Sequence, residues 1–305
     1  MAKRQNWKKL LRRHAPLLLP SACDALTAKL IEQAGFPAYQ IGGFALDGMR
    51  FGYPDMDVTR LGEKSAAVSD ILHACGLPVL VDCDDGYGDE KNVTHTVHTY
   101  ENLGASAIFI EDQRSPKRCG HMAGKQVVPA KDMVNKLRAA MAARHSKDEL
   151  FILARTDALA PEGLEEALRR AELYLKAGAD GVYIEGAESR EQLQAIGREF
   201  KGTPLALTIL EGGGKTPWLP PAELHALGFN MILYPTSLLF RLTRATQQAL
   251  AALKAGRPMR KSEGVTMLEF EKIVDIAYWK AIEQKAMTLP ERARELINDV
   301  FKRVA

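Results

Sequence analysis

Residues 177–186, AGADGVYIEG, close a helical stretch, turn on Gly178 and run straight into a short apolar segment. The same phrase returns as AGFPAYQI (34–41), LGASAIFIED (103–112) and LGFNMILYP (227–235). Each glycine stands where a helix C-terminus favours a residue of positive φ. Each following run is apolar at consecutive positions, as in a strand covered on both faces. These are echoes of one βα unit rather than a solenoid repeat. Working outward, strand candidates fall at 16–20, 38–42, 78–84, 107–112, 151–157, 181–186, 204–210 and 231–235. Amphipathic stretches at 24–35, 92–104, 131–144 and 164–178 lie between them. Eight alternating units predict an α/β fold, a (β/α)8 TIM-type barrel. An open doubly wound sheet is the alternative, disfavoured by the count and by the lack of a GxGxxG after the first strand.

The chain has 305 residues, 46% hydrophobic and 26% charged, which excludes disordered, collagen-like and disulfide-scaffold classes. We divide it into a barrel with an N-terminal helix (1–255) and a C-terminal helical extension (256–305). The extension has no strand candidate. It reads as a link, a helix near 267–284 and a last helix from 290, belonging to the same domain or to an oligomer interface.

The net charge of +3 is unevenly placed: residues 1–14 hold six basic residues and no acid, leaving 35 basic against 38 acidic in the rest. Such a segment suits a nucleic-acid or membrane patch, a transit peptide or a solvated helix face. The spacing of Trp7, Leu10 and Leu11 favours the last, a short amphipathic helix leading into the first strand. Scattered aromatics offer no stacking platform for nucleic acid, and no apolar run approaches the ~18 residues of a membrane span. Cys23, Cys75, Cys83 and Cys119 form no CxxC pair, which fits reduced thiols in the cytoplasm.

Active sites of such barrels form at the C-terminal ends of the strands. Here those ends carry Asp82, Asp84 and Asp85, then Glu111 and Asp112, then Arg155 and Asp157, then Glu185. So many carboxylates need a cation, and their oxygen-rich, imidazole-poor character suits Mg²⁺, with Mn²⁺ as substitute. The competing reading makes Asp85, Asp112 and Asp157 helix N-caps. After the fourth strand comes KRCGHMAGK (117–125), with a thiol among cations and an imidazole. It reads as a mobile lid whose Cys119 is favoured to lose its proton; a basic surface loop with an incidental cysteine is the alternative. Gly42-Gly43-Phe44 either lets main-chain amides approach a carboxylate or forms a plain tight turn. EGGGKT (211–216) reads as a flexible loop in reach of an anionic substrate. Cys23, Cys75 and Cys83 read as small core side chains, and His73, His95, His98 and His225 as surface or packing residues.

Taken together, VDCDDGYG (81–88), IEDQ (110–113), PKRCGHMAGK (116–125), ARTDA (154–158) and EGGGKTP (211–217) resemble the isocitrate lyase/phosphoenolpyruvate mutase superfamily over roughly residues 18–257. The likeness is strongest to its short lyases: 2-methylisocitrate lyase, dimethylmalate lyase and petal-death-type oxaloacetate hydrolase/lyases. The resemblance implies Mg²⁺ near Asp82, Asp84 and Glu111, a catalytic thiol at Cys119 with Lys117, Gly120 and His121 around it, and further active-site acids at Asp55 and Glu185. It implies that Arg155 steadies the substrate's oxygens, and that a homotetramer forms by swapping the last barrel helix. Gly42 stands where the family commonly has serine, Thr208 where it commonly has asparagine, and Asp85 where it has a small or apolar residue.

The implied activity is cleavage of a 2-hydroxy or 2-oxo di- or tricarboxylate into an α-keto acid and a second carboxylate. Cys119 would protonate the departing carbanion, and the Gly42, Gly43 and Phe44 amides, Gly120 and Thr208 would line the substrate. The alternatives are a phosphonomutase and an oxaloacetate hydrolase or decarboxylase on the same scaffold.

Overall fold

The computed structural model describes residues 6–146 and 148–287. Its eight strands are β1 (Leu17–Pro20), β2 (Tyr39–Ile41), β3 (Val79–Asp82), β4 (Ala107–Glu111), β5 (Phe151–Thr156), β6 (Gly181–Ile184), β7 (Leu205–Thr208) and β8 (Met231–Tyr234). All pair in parallel, in the order β1-β8-β7-β6-β5-β4-β3-β2. A parallel bridge between Ser21 and Gln40 brings β1 to β2. The fold is the expected (β/α)8 barrel. Every strand runs shorter than its sequence run, and all but β1 give up the last residues of the run to the loop that follows. Gly35, Gly104, Gly178 and Gly228, the glycines of the repeated phrase, take φ between 80° and 109°.

The continuous apolar runs split by parity. Leu80, Ala107, Phe109, Phe151, Leu153, Tyr183 and Ala206 meet inside the barrel. Their neighbours Val79, Val81, Ile108, Ile110, Ile152 and Ala154 pack outward with the helices. One strand period therefore serves two cores.

The helix Trp7–Arg13 is capped by the Asn6 side chain, which accepts from the Lys9 amide at 3.0 Å. Its Trp7, Leu10 and Leu11 join the barrel's inner cluster with Leu17 and Met231, at the strands' N-terminal ends. Trp7 Nε1 donates to Met231 Sδ at 3.5 Å. The basic residues occupy the opposite face: Arg12 and Arg13 are exposed, and Lys8 pairs with Asp180 at 2.7 Å. The basic segment is, over its described part, the solvated face of a barrel plug.

The chain separates into two compact units, Met1–Arg244 and Ala245–Ala305. The second continues the helix Ser237–Lys254 and adds the helices Met267–Ile273 and Ile276–Ala286, neither of which buries a residue. The single helix expected near 267–284 is thus broken, at Asp275, which adopts φ 57°. The helix expected from 290 lies outside the described residues. Among the described residues, no helix is long and apolar enough to cross a membrane.

Trp7→Ala removes the largest side chain of the plug and should lower unfolding free energy by about 3–5 kcal/mol, with the denaturant midpoint as readout. Lys9→Ala, on the solvated face, should stay within about 0.5 kcal/mol.

Candidate active site

The parity that builds the inner core also aims the site. Two residues beyond Leu80 on β3 is Asp82; two beyond Phe109 on β4 is Glu111; two beyond Leu153 on β5 is Arg155. Glu185 follows Tyr183 in the same phase at the end of β6, and Thr208 follows Ala206 on β7. Four of these five line one pocket of about 420 Å³, counting the part open to solvent; the fifth, Glu111, pairs with Arg155 at 3.2 Å. The opposite phase sends Asp112 outward. There it accepts from Thr156 Oγ1, Tyr174 OH and the Asp157 amide at 2.7–2.9 Å, and pairs with Arg170.

The acidic rim is compensated by two buried lysines. Lys64 Nζ lies 2.6 Å from Asp84 Oδ2 and 3.3 Å from Asp47 Oδ2. Lys117 Nζ is wedged between Asp55 Oδ1 and Asp84 Oδ1. Burial favours neutral Asp84, but the two ammonium groups overrule it and hold its carboxyl well below the usual range. Asp82 moves the other way: burial and the Asp84 charge raise its pKa. Its carboxylate accepts from the Gly43 amide and from the Asp84 amide, both at 2.9 Å. A Cβ on Gly43 would sit 3.2 Å from Asp82 Oδ2 and 3.3 Å from Lys64 Nζ, so a side chain there would push the amide away. Glu111 is fully buried, and burial raises its pKa far above the usual value despite Arg155 at 3.2 Å. Its Oε1 has no hydrogen-bond partner.

The segment after β4 closes over this rim. Gln113 and Val127 form an antiparallel bridge at its base. Gln113 Nε2 donates to the Arg118 carbonyl at 2.8 Å and its Oε1 accepts from the Arg118 amide. Lys125 Nζ reaches the buried Asp157 at 2.8 Å. At the tip, the Cys119 amide donates to the Asp55 carbonyl at 3.0 Å, and Gly120 lies against Arg155 and Glu185. A Cβ on Gly120 would fall 2.5 Å from Glu185 Cγ and closer still to Arg155 Nη2, so a side chain there would displace Arg155 and Glu185.

Arg155 is the cation that faces the pocket. Asp157 fixes it in a fork, Nε to Oδ2 at 2.8 Å and Nη2 to Oδ1 at 3.1 Å. The Tyr183 ring lies below the guanidinium at 5.1 Å. Glu185 is buried, yet Arg155 and His121 hold its carboxyl down at about 2. His121 Nδ1 accepts from the Lys215 amide at 3.1 Å, which leaves the proton on Nε2, 2.9 Å from Glu185 Oε1.

Several expectations need correction. Cys119 is not primed to ionise: burial and the Asp55 charge push its thiol up to about 11. The cations beside it in sequence are engaged elsewhere, Lys117 with the two aspartates and His121 with Glu185. The Gly42 amide is committed to Ser21 Oγ at 3.1 Å and the Gly43 amide to Asp82, so neither is free for a substrate carboxylate. Lys215 does not point at the pocket; its ammonium pairs with Glu188 at 2.7 Å. Asp85 turns away from the rim, accepting from the Tyr87 amide at 2.9 Å and facing Lys136. Asp157 and Asp112 are clamps rather than N-caps. Cys23, Cys75 and Cys83 are buried core thiols, as expected.

Lys64 was not anticipated. Its signal was available: it shares the buried helix face of Ala67, Val68 and Ile71, where a lysine is out of place unless it meets an acid.

The phosphoenolpyruvate phosphomutase family matches residues 7–254. The chain belongs to this family. It is 40% identical to the 2,3-dimethylmalate lyase of Eubacterium barkeri, over 81% of this chain and 84% of that protein. A solved oxaloacetate acetylhydrolase, in complex with 3,3-difluorooxalacetate, superposes with a TM-score of 0.87 at 29% identity, covering 92% of this chain and 96% of that one. A phosphonopyruvate hydrolase in complex with oxalate and Mg²⁺ superposes with a TM-score of 0.84 at 27% identity, over 94% of this chain and all of that one. The chemistry is that of the superfamily's lyases and mutases.

Because the Cys119 thiol is held near 11, iodoacetamide should modify it slowly at neutral pH, with the rate climbing about tenfold per pH unit and levelling off only as the pH approaches 11. A plateau already reached at pH 7, by mass spectrometry of the 117–125 peptide, would contradict the burial account. Gly120→Ala should leave the fold intact and lower turnover by at least about tenfold, since displacement of catalytic groups by an ångström has effects of this size or more.

Proposed function

We propose that this enzyme is a Mg²⁺-dependent carbon–carbon lyase. Its substrate is a small 2-hydroxy di- or tricarboxylate, and its products are an α-keto acid and a second carboxylate. The observation that carries the reading is the buried Cys119 thiol, kept protonated in a pocket that the Arg155 guanidinium also lines.

Cleavage of the C2–C3 bond of a 2-hydroxy acid moves the hydroxyl proton to a base and leaves the bonding electrons on C3. Asp55 lines the pocket beside Lys117 and is placed to take that proton. Arg155, preset by Asp157, binds and orients the carboxylate of the keto-acid half. Cys119 then gives its proton to C3, and a thiol near 11 is still fully charged with its proton at neutral pH. The His121–Glu185 pair holds the closing segment against Arg155 so that the thiol stays over the reacting carbon.

The acids fit a divalent cation. Glu111 Oε1 is buried without a partner, and the raised pKa values of Glu111 and Asp82 show that burial leaves both short of positive charge. Among the described residues no three candidate ligands converge into a ready-made cage. That suits an ion that keeps several waters and takes further ligands from its substrate. Asp82 and Glu111 would hold it, with Asp84, already tied to two lysines, acting through water. Bound Mg²⁺ supplies Lewis-acid stabilisation of negative charge on the keto-acid oxygens.

A phosphonomutase on the same platform is the competing reading. The protonated thiol favours the lyase, since phosphoryl migration calls for no protonation of carbon. The assembly we propose is a homotetramer in the cytoplasm, formed by exchange of C-terminal helices. An apolar groove on the barrel, lined by Leu18, Leu30, Trp218, Tyr234 and Leu238, is open to a second copy. Leu250, Leu253, Met267 and Leu268 of the second unit are 60–74% exposed, a large apolar surface for a monomer to leave in water. We assign no nucleic-acid or membrane partner.

Cys119→Ala should lower keto-acid release from methylmalate-type acids by about 10²–10⁴-fold, the usual scale for a lost proton donor, while Mg²⁺ and oxalate still raise the melting temperature. Full cleavage by that variant would sink the role. Phosphorus NMR of phosphonopyruvate should show no transfer; rapid transfer would install the mutase. Glu111→Gln should abolish the rise in melting temperature that Mg²⁺ produces, and this rise should be larger at pH 8 than at pH 6, because protons compete for the same carboxylates.

A further inference from the structure

The stretch between the π-helical turn Asp47–Phe51 and the helix Leu61–Ala74 holds an unusual residue, Asp57. Its φ is 65°, a left-handed conformation that a side chain disfavours. Its carboxylate is 1% exposed although the surrounding loop, at Met56 and Val58, lies at the surface. Asp57 Oδ2 accepts from Ser115 Oγ at 2.6 Å and from the Lys117 amide at 3.2 Å. Its Oδ1 lies 3.0 Å from Arg60 Nη1, and Arg60 Nη2 donates to Ser115 Oγ at 3.2 Å.

Ser115 and Lys117 belong to the segment that closes over the site. Two residues before Asp57, the Asp55 carbonyl accepts from the Cys119 amide at 3.0 Å, and the Asp55 carboxylate takes Lys117 Nζ. Residues 55–57 thus form a template against which 115–119 is laid, with contacts at Ser115, at both ends of Lys117 and at Cys119. Among the described residues, the hydrogen bonds and ion pair of the Asp57 side chain run to the closing segment and to its own Arg60. A glycine would adopt this φ more cheaply. A strained aspartate with a buried, charge-assisted set of bonds is a feature kept for what the bonds hold.

We infer that Asp57 is a positioning residue: its carboxylate latches the closing segment in the arrangement that sets Cys119 over the pocket. This inference rests on the role proposed for Cys119, but the latch itself is a statement about the resting enzyme. The test reads it without the reaction. Asp57→Gly removes the carboxylate and eases the backbone, so the melting temperature should hold or rise. The rate at which iodoacetamide modifies Cys119 at fixed pH should rise by about tenfold, the scale of losing one hydrogen bond to a charged group. Ser115→Ala, a surface change that removes the partner from the other side, should raise the same rate by a smaller factor of about three. In keto-acid release, Asp57→Gly should lower kcat with KM little changed, and Asp57→Asn, which keeps the Ser115 acceptor, should recover part of it.

Cys119 modification rates in Asp57→Gly and Ser115→Ala equal to those of the parent overturn the inference, whatever the activity. A faster modification rate in a protein with no lyase activity on any acid tried keeps the latch and removes the proposed reaction. Should Asp57→Gly fail to fold, the loop is simply structural and the inference falls.

Discussion

Lys117 is the group on which the site depends. A barrel that places an acid at the end of each of several neighbouring strands creates a ring of like charge in a region of low dielectric, where repulsion is strong. Asp47, Asp55, Asp82 and Asp84 meet only two ammonium groups, Lys64 and Lys117. Formally these six groups leave an excess of two negative charges, before Glu111 is counted, and a divalent cation would offset charge of that sign. Lys64 comes from the helix Leu61–Ala74 and Lys117 from the segment after β4, so two separate parts of the chain share the neutralisation of the rim.

The same arrangement sets the state of the thiol. Lys117 and Cys119 are two residues apart, and in isolation the cation would draw the proton from sulfur. In the folded chain Asp55 and Asp84 take the ammonium, Glu185 takes His121, and Cys119 is left with burial and the nearby Asp55 charge. A cluster that reads as thiolate-promoting along the sequence becomes acid-preserving in space. General acid catalysis needs the second state, so the correction and the proposed role agree.

The architecture was legible because the barrel uses one rule eight times. Apolar runs covered on both faces, glycines at helix ends and the regular spacing of the units mark every strand. Parity within each run then separates residues such as Glu111, which faces the centre, from Asp112, which faces the helices. What could not be read were contacts between loops distant in sequence. Nothing adjacent to Gly42 says that its amide will donate to Ser21, 21 residues away. Nothing near Lys215 says that its amide rather than its ammonium will meet His121. Lys64 lies between these cases: its place on an apolar helix face announces a buried partner without naming Asp84.

The pocket walls divide the work. The charged side is built by the ends of β3 to β6 together with the closing segment, and its groups hold one another: Asp157 holds Arg155 and Lys125, and Glu185 holds His121. The side formed after β7 and β8 presents Thr208, Leu210, Leu233 and Pro235. A change on the charged side disturbs several partners at once and leaves a buried charge exposed to desolvation, which is costly. A change on the uncharged side alters volume and one hydroxyl contact, Thr208 to Tyr183, and leaves the charge balance alone. The first side therefore constrains which bond can be polarised, and the second is where shape can vary with the least penalty to the fold.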